Sequence, residues 1–160
     1  TETRDWHWLY TGEPPKVIYT SAKARRETIN KRPHEARTAE RLSKIGFRCE
    51  IGKDRKKIGK NSAGLTLFEG YADSSSGLEF KTVLTSRNAY GAVKNYFENS
   101  IGKKNLKRMV IDNYESIHLN DVEVMDAIKE LSKRPEYAKV SKWVSVLGKN
   151  GNLIDVVRKN

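Results

Sequence analysis

The residues best suited to chemistry are Glu79-Phe80-Lys81. Strand side chains alternate, so Glu79 and Lys81 share one face of a strand and Phe80 takes the other, toward a core. A carboxylate beside an ammonium on a central strand is poor packing material. It suits phosphodiester hydrolysis well. The carboxylate would hold a divalent cation, which neutralises phosphate charge and lowers the pKa of water. The lysine would orient the nucleophile or stabilise the pentacovalent state. The competing explanation is an exposed ion pair on an edge strand.

Other candidates carry less. His7, His34 and His118 are scattered without ligand spacing. His34 adjoins Glu35 at an expected helix start, where a histidine usually serves the helix end and could reach a substrate. Cys49 is expected as a buried structural thiol with no histidine partner. Ser74-Ser75-Ser76 is turn chemistry and does not form a nucleophile elbow. No Walker or Rossmann glycine pattern occurs. Lys53, Arg55, Lys56, Lys57 and Lys60 form a basic loop that could bind phosphate, or simply be solvated. Lys103, Lys104, Lys107 and Arg108 form a second basic cluster that could flank a phosphate track.

The elements that must position these residues follow from spacing. Pro33 to Gly46 reads as a helix, with Pro33 in its first turn and Gly46 as its stop. Ala39, Leu42 and Ile45 form its apolar stripe, and Glu35 points along the same stripe. Phe47–Ile51 and Leu65–Tyr71 read as strands. Asp73 to Gly77 reads as a turn and Leu78–Leu84 as the second arm of a hairpin. Asn88–Ile101 is a helix with Tyr90, Val93, Phe97 and Ile101 on one side. Arg108–Asp112 is a short buried strand. Asp121–Lys133 is a helix capped by Asn120 and Glu123, with Val122, Met125, Ile128 and Leu131 as its stripe. Trp143–Leu147 and Leu153–Val157 flank an Asn150-Gly151 hairpin turn. Residues 1–30 read as an arm, broken by Gly12-Glu13-Pro14-Pro15, with Trp6, Trp8 and Tyr10 as a short strand or aromatic clasp. The expected architecture is one α/β domain over 31–160, with a central mixed sheet flanked by helices.

The chain has 160 residues, enough for one domain with a real core. No apolar run is long enough to span a membrane, and no signal peptide is evident. The single cysteine excludes an intramolecular disulfide. The start at Thr1 suggests a piece cut from something larger. Lys and Arg number 31 against 20 Asp and Glu, a formal charge of +11. Residues 1–60 hold +8 of that excess. Such a field draws polyanions, nucleic acid first, then an acidic protein or a membrane surface.

The order of helix with Glu35, hairpin, Glu79-Phe80-Lys81 strand and helix resembles the core of the PD-(D/E)XK nucleases. More narrowly, several short motifs resemble the C-terminal toxin domains of contact-dependent growth inhibition (CDI) proteins. They are Pro33-His34-Glu35 with Thr38-Ala39, Leu42 and Gly46, then Gly59-Lys60-Asn61, Leu78-Glu79-Phe80-Lys81 and Val110-Ile111-Asp112, and a closing hairpin with Gly151 and Ile154-Asp155. The resemblance runs from about Lys31 to the end and rests on the order of these motifs. It implies a metal-dependent RNase acting on tRNA, with Glu35, Glu79 and Lys81 in the catalytic site and Mg²⁺, Mn²⁺ or Zn²⁺ as cofactor. It further implies delivery from a secreted or cell-surface protein into the cytoplasm of a target bacterium, and a cognate immunity protein, expected to be acidic. One position departs from the pattern. Ala63 stands where the resemblance expects a metal-binding Asp. Either the chain is a disarmed toxin, or Glu69 (less well Asp73) supplies the ligand beside Glu79, or the chain is no nuclease. The alternatives are a non-catalytic basic nucleic-acid-binding module and a DNase on the same fold.

Overall fold

The computed structural model describes residues 17–19, 21–51, 65–69, 72–103 and 106–159. Among these, seven strands form a single sheet whose spatial order follows the chain. They are β1 (Val17–Tyr19), β2 (Arg48–Ile51), β3 (Leu65–Glu69), β4 (Ala72–Thr82), β5 (Arg108–Asp112), β6 (Trp143–Leu147) and β7 (Leu153–Arg158). The pairs β1–β2, β4–β5 and β5–β6 are parallel, and the other three are antiparallel. Among the described residues, four α-helices accompany the sheet: α1 (Ala22–Lys31), α2 (Pro33–Lys44), α3 (Ala89–Ser100) and α4 (Asp121–Leu131). The expected single α/β domain with a mixed sheet is thus the fold observed. None of the described helices is long and apolar enough to cross a membrane.

Two apolar clusters lie on the two faces of the sheet. Phe80 and Val110 join Ala39 and Leu42 of α2, with Phe47, Cys49, Ile51, Leu78 and Leu147. Met109 and Ile111, one residue to either side of Val110, join Val93 and Phe97 of α3 and Val124, Ile128 and Leu131 of α4. Strand alternation separates the two sets. Cys49 is buried, as a structural thiol would be.

Local signals explain the helix ends. Pro33 opens α2, and Gly46 follows it at φ 95°. The Asn88 side chain accepts from the Gly91 amide at the start of α3. Asn120 and Glu123 form the full capping box of α4. Gly151 turns the last hairpin at φ 84°.

Four expectations change. From Val17 onward, the stretch read as an arm belongs to the domain: β1 pairs with β2, and α1 is capped by Ser21, which accepts from the Ala24 amide. Trp6, Trp8 and Tyr10 lie outside the described residues. Asp73 to Gly77 is no turn but part of the long β4. Register shifts at Leu65/Thr66 and Leu67/Phe68 absorb its extra residues, and Gly77 is the bulge residue opposite the first, at φ 79°. The buried face of α4 is Val124, Ala127, Ile128 and Leu131, while Val122 is 60% exposed. The i, i+3, i+4, i+7 spacing of that set fits a helix face better than a strict step of three. On α3, Val93 and Phe97 are buried, whereas Tyr90 and Ile101 are exposed.

Candidate active site

Glu79 and Lys81 project from β4 on the face that carries Met109 and Ile111, their partners on β5. The register of β3 against β4 ends at Leu65 opposite Leu78, one residue before Glu79. Among the described residues, the Glu79–Thr82 segment is therefore paired on one side only, by β5. Around that segment lies a cleft of about 390 Å³. Arg32, His34 and Glu35 approach it from the start of α2, and Asn95, Tyr96 and Asn99 from α3. Elements from both faces of the sheet meet there.

Both carboxylates are buried: Glu35 is 3% exposed and Glu79 2%. A charge removed from water needs a partner. Lys81 Nζ lies 3.8 Å from Glu79 Oε1, and Lys103 Nζ donates to Glu79 Oε2 at 2.5 Å. Arg32 Nε lies 3.4 Å from Glu35 Oε2, an ion pair without hydrogen-bond geometry. The Tyr96 hydroxyl donates to the Thr82 carbonyl at 3.0 Å. Burial pushes that phenol above its ordinary value of 10.0, so it stays a protonated donor.

The sequence-selected residues divide clearly. Glu35, Glu79 and Lys81 line one cleft, and His34 joins them. Glu69 does not. Its backbone pairs with Ala72, seven residues from Glu79, or about 20 Å of strand. Asp73, paired with Phe68, is displaced along β4 in the same direction. The longer hairpin, turning beyond Glu69 rather than at Asp73–Gly77, is what carries both away. Ala63, Lys53, Arg55, Lys56, Lys57 and Lys60 lie outside the described residues. Two members of the second basic cluster have other duties. Lys103 serves Glu79, and Arg108 is fully buried. The Arg108 guanidinium bonds Ser145 Oγ at 3.0 Å and stacks 3.9 Å from the Trp143 ring. Sequence reasoning missed Lys103 as a site residue and missed Asn95, Tyr96 and Asn99. An i, i+4 pair facing the strand, Asn95 and Asn99, was the available signal.

Carboxylates are the donors a hard divalent cation such as Mg²⁺ takes, and Glu35 and Glu79 are the two that line the cleft. It does not resemble a nitrogen- or sulfur-rich zinc site. Among the described residues, no group of three or more His, Cys, Asp or Glu side chains forms a fuller cage. A cation on Glu79 Oε2 would have to displace Lys103.

No family model matches the chain, and no curated protein matches it. Among solved structures, it is similar to a chain of the "CdiA-CT/CdiI toxin and immunity complex from Burkholderia pseudomallei". The TM-score is 0.56 at 14% identity, over 89% of this chain and 94% of that one. The likeness is one of fold.

Proposed function

We propose that this chain is a phosphodiesterase toxin domain that cleaves RNA, with tRNA as substrate, at the Glu35–Glu79–Lys81 cleft. One observation carries the reading: buried Glu79 and half-buried Lys81, from one strand, share a cleft with buried Glu35 from α2. Similarity in fold to a chain of a toxin and immunity complex supports the same direction.

The roles follow from position. Lys81, next to Glu79 and on the same face, would neutralise charge that develops on the phosphate oxygens. Glu79 and Glu35 would hold a divalent ion, Mg²⁺ or Mn²⁺ before Zn²⁺ on donor type. That ion, when bound, would supply charge neutralisation and acidify water. Arg32, 3.4 Å from Glu35 Oε2, would keep Glu35 directed into the cleft. Asn95 and Asn99 offer uncharged donors to a substrate. A cognate immunity protein, acidic by complementarity to the +11 chain, would block the site. Delivery from a larger surface or secreted protein into a target bacterium completes this reading.

A specific observation favours a second reading. The 2.5 Å Lys103–Glu79 pair is also what a purely structural ion pair looks like. In that case the chain binds nucleic acid without cutting it. A DNase on the same fold is tested alongside. The experiment is cleavage of tRNA, other RNA and DNA on a denaturing gel, with each metal and with chelator, for the chain and its Ala63→Asp variant. Defined, chelator-sensitive tRNA cuts by either protein are expected. No cut in any nucleic acid by either protein favours the binding module.

A further inference from the structure

A second cavity of about 460 Å³ lies toward the other end of α2, between that helix, the loop after β5 and the tip of the β6–β7 hairpin. Resting on the nuclease reading above, we propose that it is a base-binding subsite, holding a nucleotide of the same RNA strand whose scissile phosphate lies at Glu79 and Lys81.

The geometry is that of a stack already half built. The Arg41 guanidinium lies 4.5 Å from the centroid of the Tyr114 ring. Neither partner is left to wander. Arg41 Nη1 donates to Asp112 Oδ2 at 2.6 Å, and Arg41 Nη2 lies 2.7 Å from Glu115 Oε2. The Tyr114 amide donates to Asp112 Oδ1 at 2.9 Å. Yet Tyr114 is 44% exposed, an unusual state for an aromatic held so firmly. Asn150 lines the same cavity and carries an amide able to pair with a base edge.

Position and charge define the ligand class. Arg41 follows Glu35 by six residues, about 9 Å along the axis of α2. A nucleotide near the cleavage point on the same strand can reach that far. The cations of the lining, Arg37, Arg41 and Lys44, are offset by Glu40 beside them and by Glu115 and Asp112 behind. The cavity therefore offers a flat surface and polar edges more than a positive field, which suits a ring better than a bare phosphate. It is also too small and too charged to resemble the core of a protein interface.

The test uses ¹⁵N-labelled protein titrated with adenosine monophosphate, followed by amide shifts. Shifts are expected at Tyr114, Asn150 and Gly151. Tyr114→Ala should weaken binding about tenfold, the size of one base stack. Tyr114→Phe, which keeps the ring, should bind as the parent does. Inorganic phosphate alone should leave these amides unmoved. Shifts elsewhere only, equal binding by Tyr114→Ala, or the same shifts from phosphate would overturn the subsite. The two readings fail separately. Nucleotide binding at Tyr114 without cleavage of any nucleic acid would retire the nuclease reading and leave a nucleotide site. RNA cutting with the same KM in Tyr114→Ala would keep the nuclease and retire the subsite.

Discussion

Among the described residues, Glu79 pairs with two lysines that are not equivalent. Lys81 comes from the same strand face, two residues on, at 3.8 Å. Lys103 arrives from beyond α3 and makes the shorter contact, at 2.5 Å. A cation that takes Oε2 competes with Lys103 first. Replacing Lys103 by Met keeps the aliphatic stem and removes the charge. Loss of a charge-assisted hydrogen bond of this kind is worth about 1.5–3 kcal/mol. Lys103→Met should therefore tighten Mn²⁺ binding about ten- to a hundredfold, read by calorimetry. An unchanged affinity would mean that Lys103 does not guard Glu79 Oε2 against a cation. This lysine also shows what one-dimensional reading loses. It sits 24 residues from Glu79, and in the sequence it is one of several lysines after a helix. Glu79 and Lys81 were legible because strand alternation is local.

At the scale of elements, two devices aim the site. The first is the bulge at Gly77, just before Glu79. Its φ of 79° lies in the left-handed region, where a Cβ costs about 1–2 kcal/mol. Gly77→Ala should lower stability by about that amount in urea unfolding, and lower cleavage as well, because the bulge sets how β4 presents Glu79. Full stability in this variant would show that the bulge tolerates a side chain. Composition alone made Asp73–Gly77 look like a turn. The pairing with β3, a tertiary matter, kept it in the strand.

The second device ties α2 to the loop after β5. Fully buried Asp112 accepts from Thr38 Oγ1 at 2.5 Å and from Arg41. Thr38 is three residues past Glu35, so this anchor fixes the turn that carries Glu35. Glu115 extends it, accepting from Arg37 Nε at 2.9 Å. Burial alone would raise the Glu115 carboxyl. Hydrogen bonds from Arg37 and Arg41 outweigh that and hold it below its usual 4.5. A depressed carboxylate stabilises the fold above its unfolded value, and the contribution fades as pH falls through the folded value. The parent should therefore be more stable than Glu115→Gln at about pH 6, with the gap closing as pH falls below 4.5. A gap independent of pH would contradict the ionic account.

For the whole molecule, the legible part was the alternation of helices and strands, because Pro33, Gly46, Asn88, Asn120 and Gly151 mark ends by local chemistry. The contribution of Val17–Tyr19 was not legible. Three residues pairing in parallel with a strand 32 positions on leave no local trace. The cleft itself was half legible. Sequence order could nominate Glu35 and Glu79. Only the edge of β4, paired on one side among the described residues, explains how groups from both faces come together.

The central claim is that Glu79 and Lys81 do chemistry rather than hold the fold. The direct measurement compares tRNA cutting and tRNA retention in Glu79→Gln and Lys81→Ala, made in whichever of the chain and its Ala63→Asp variant cuts better. This account predicts cutting reduced at least about a hundredfold in each, with retention on a filter nearly unchanged. Cutting at the parental rate in both variants, with tRNA still retained, would contradict it.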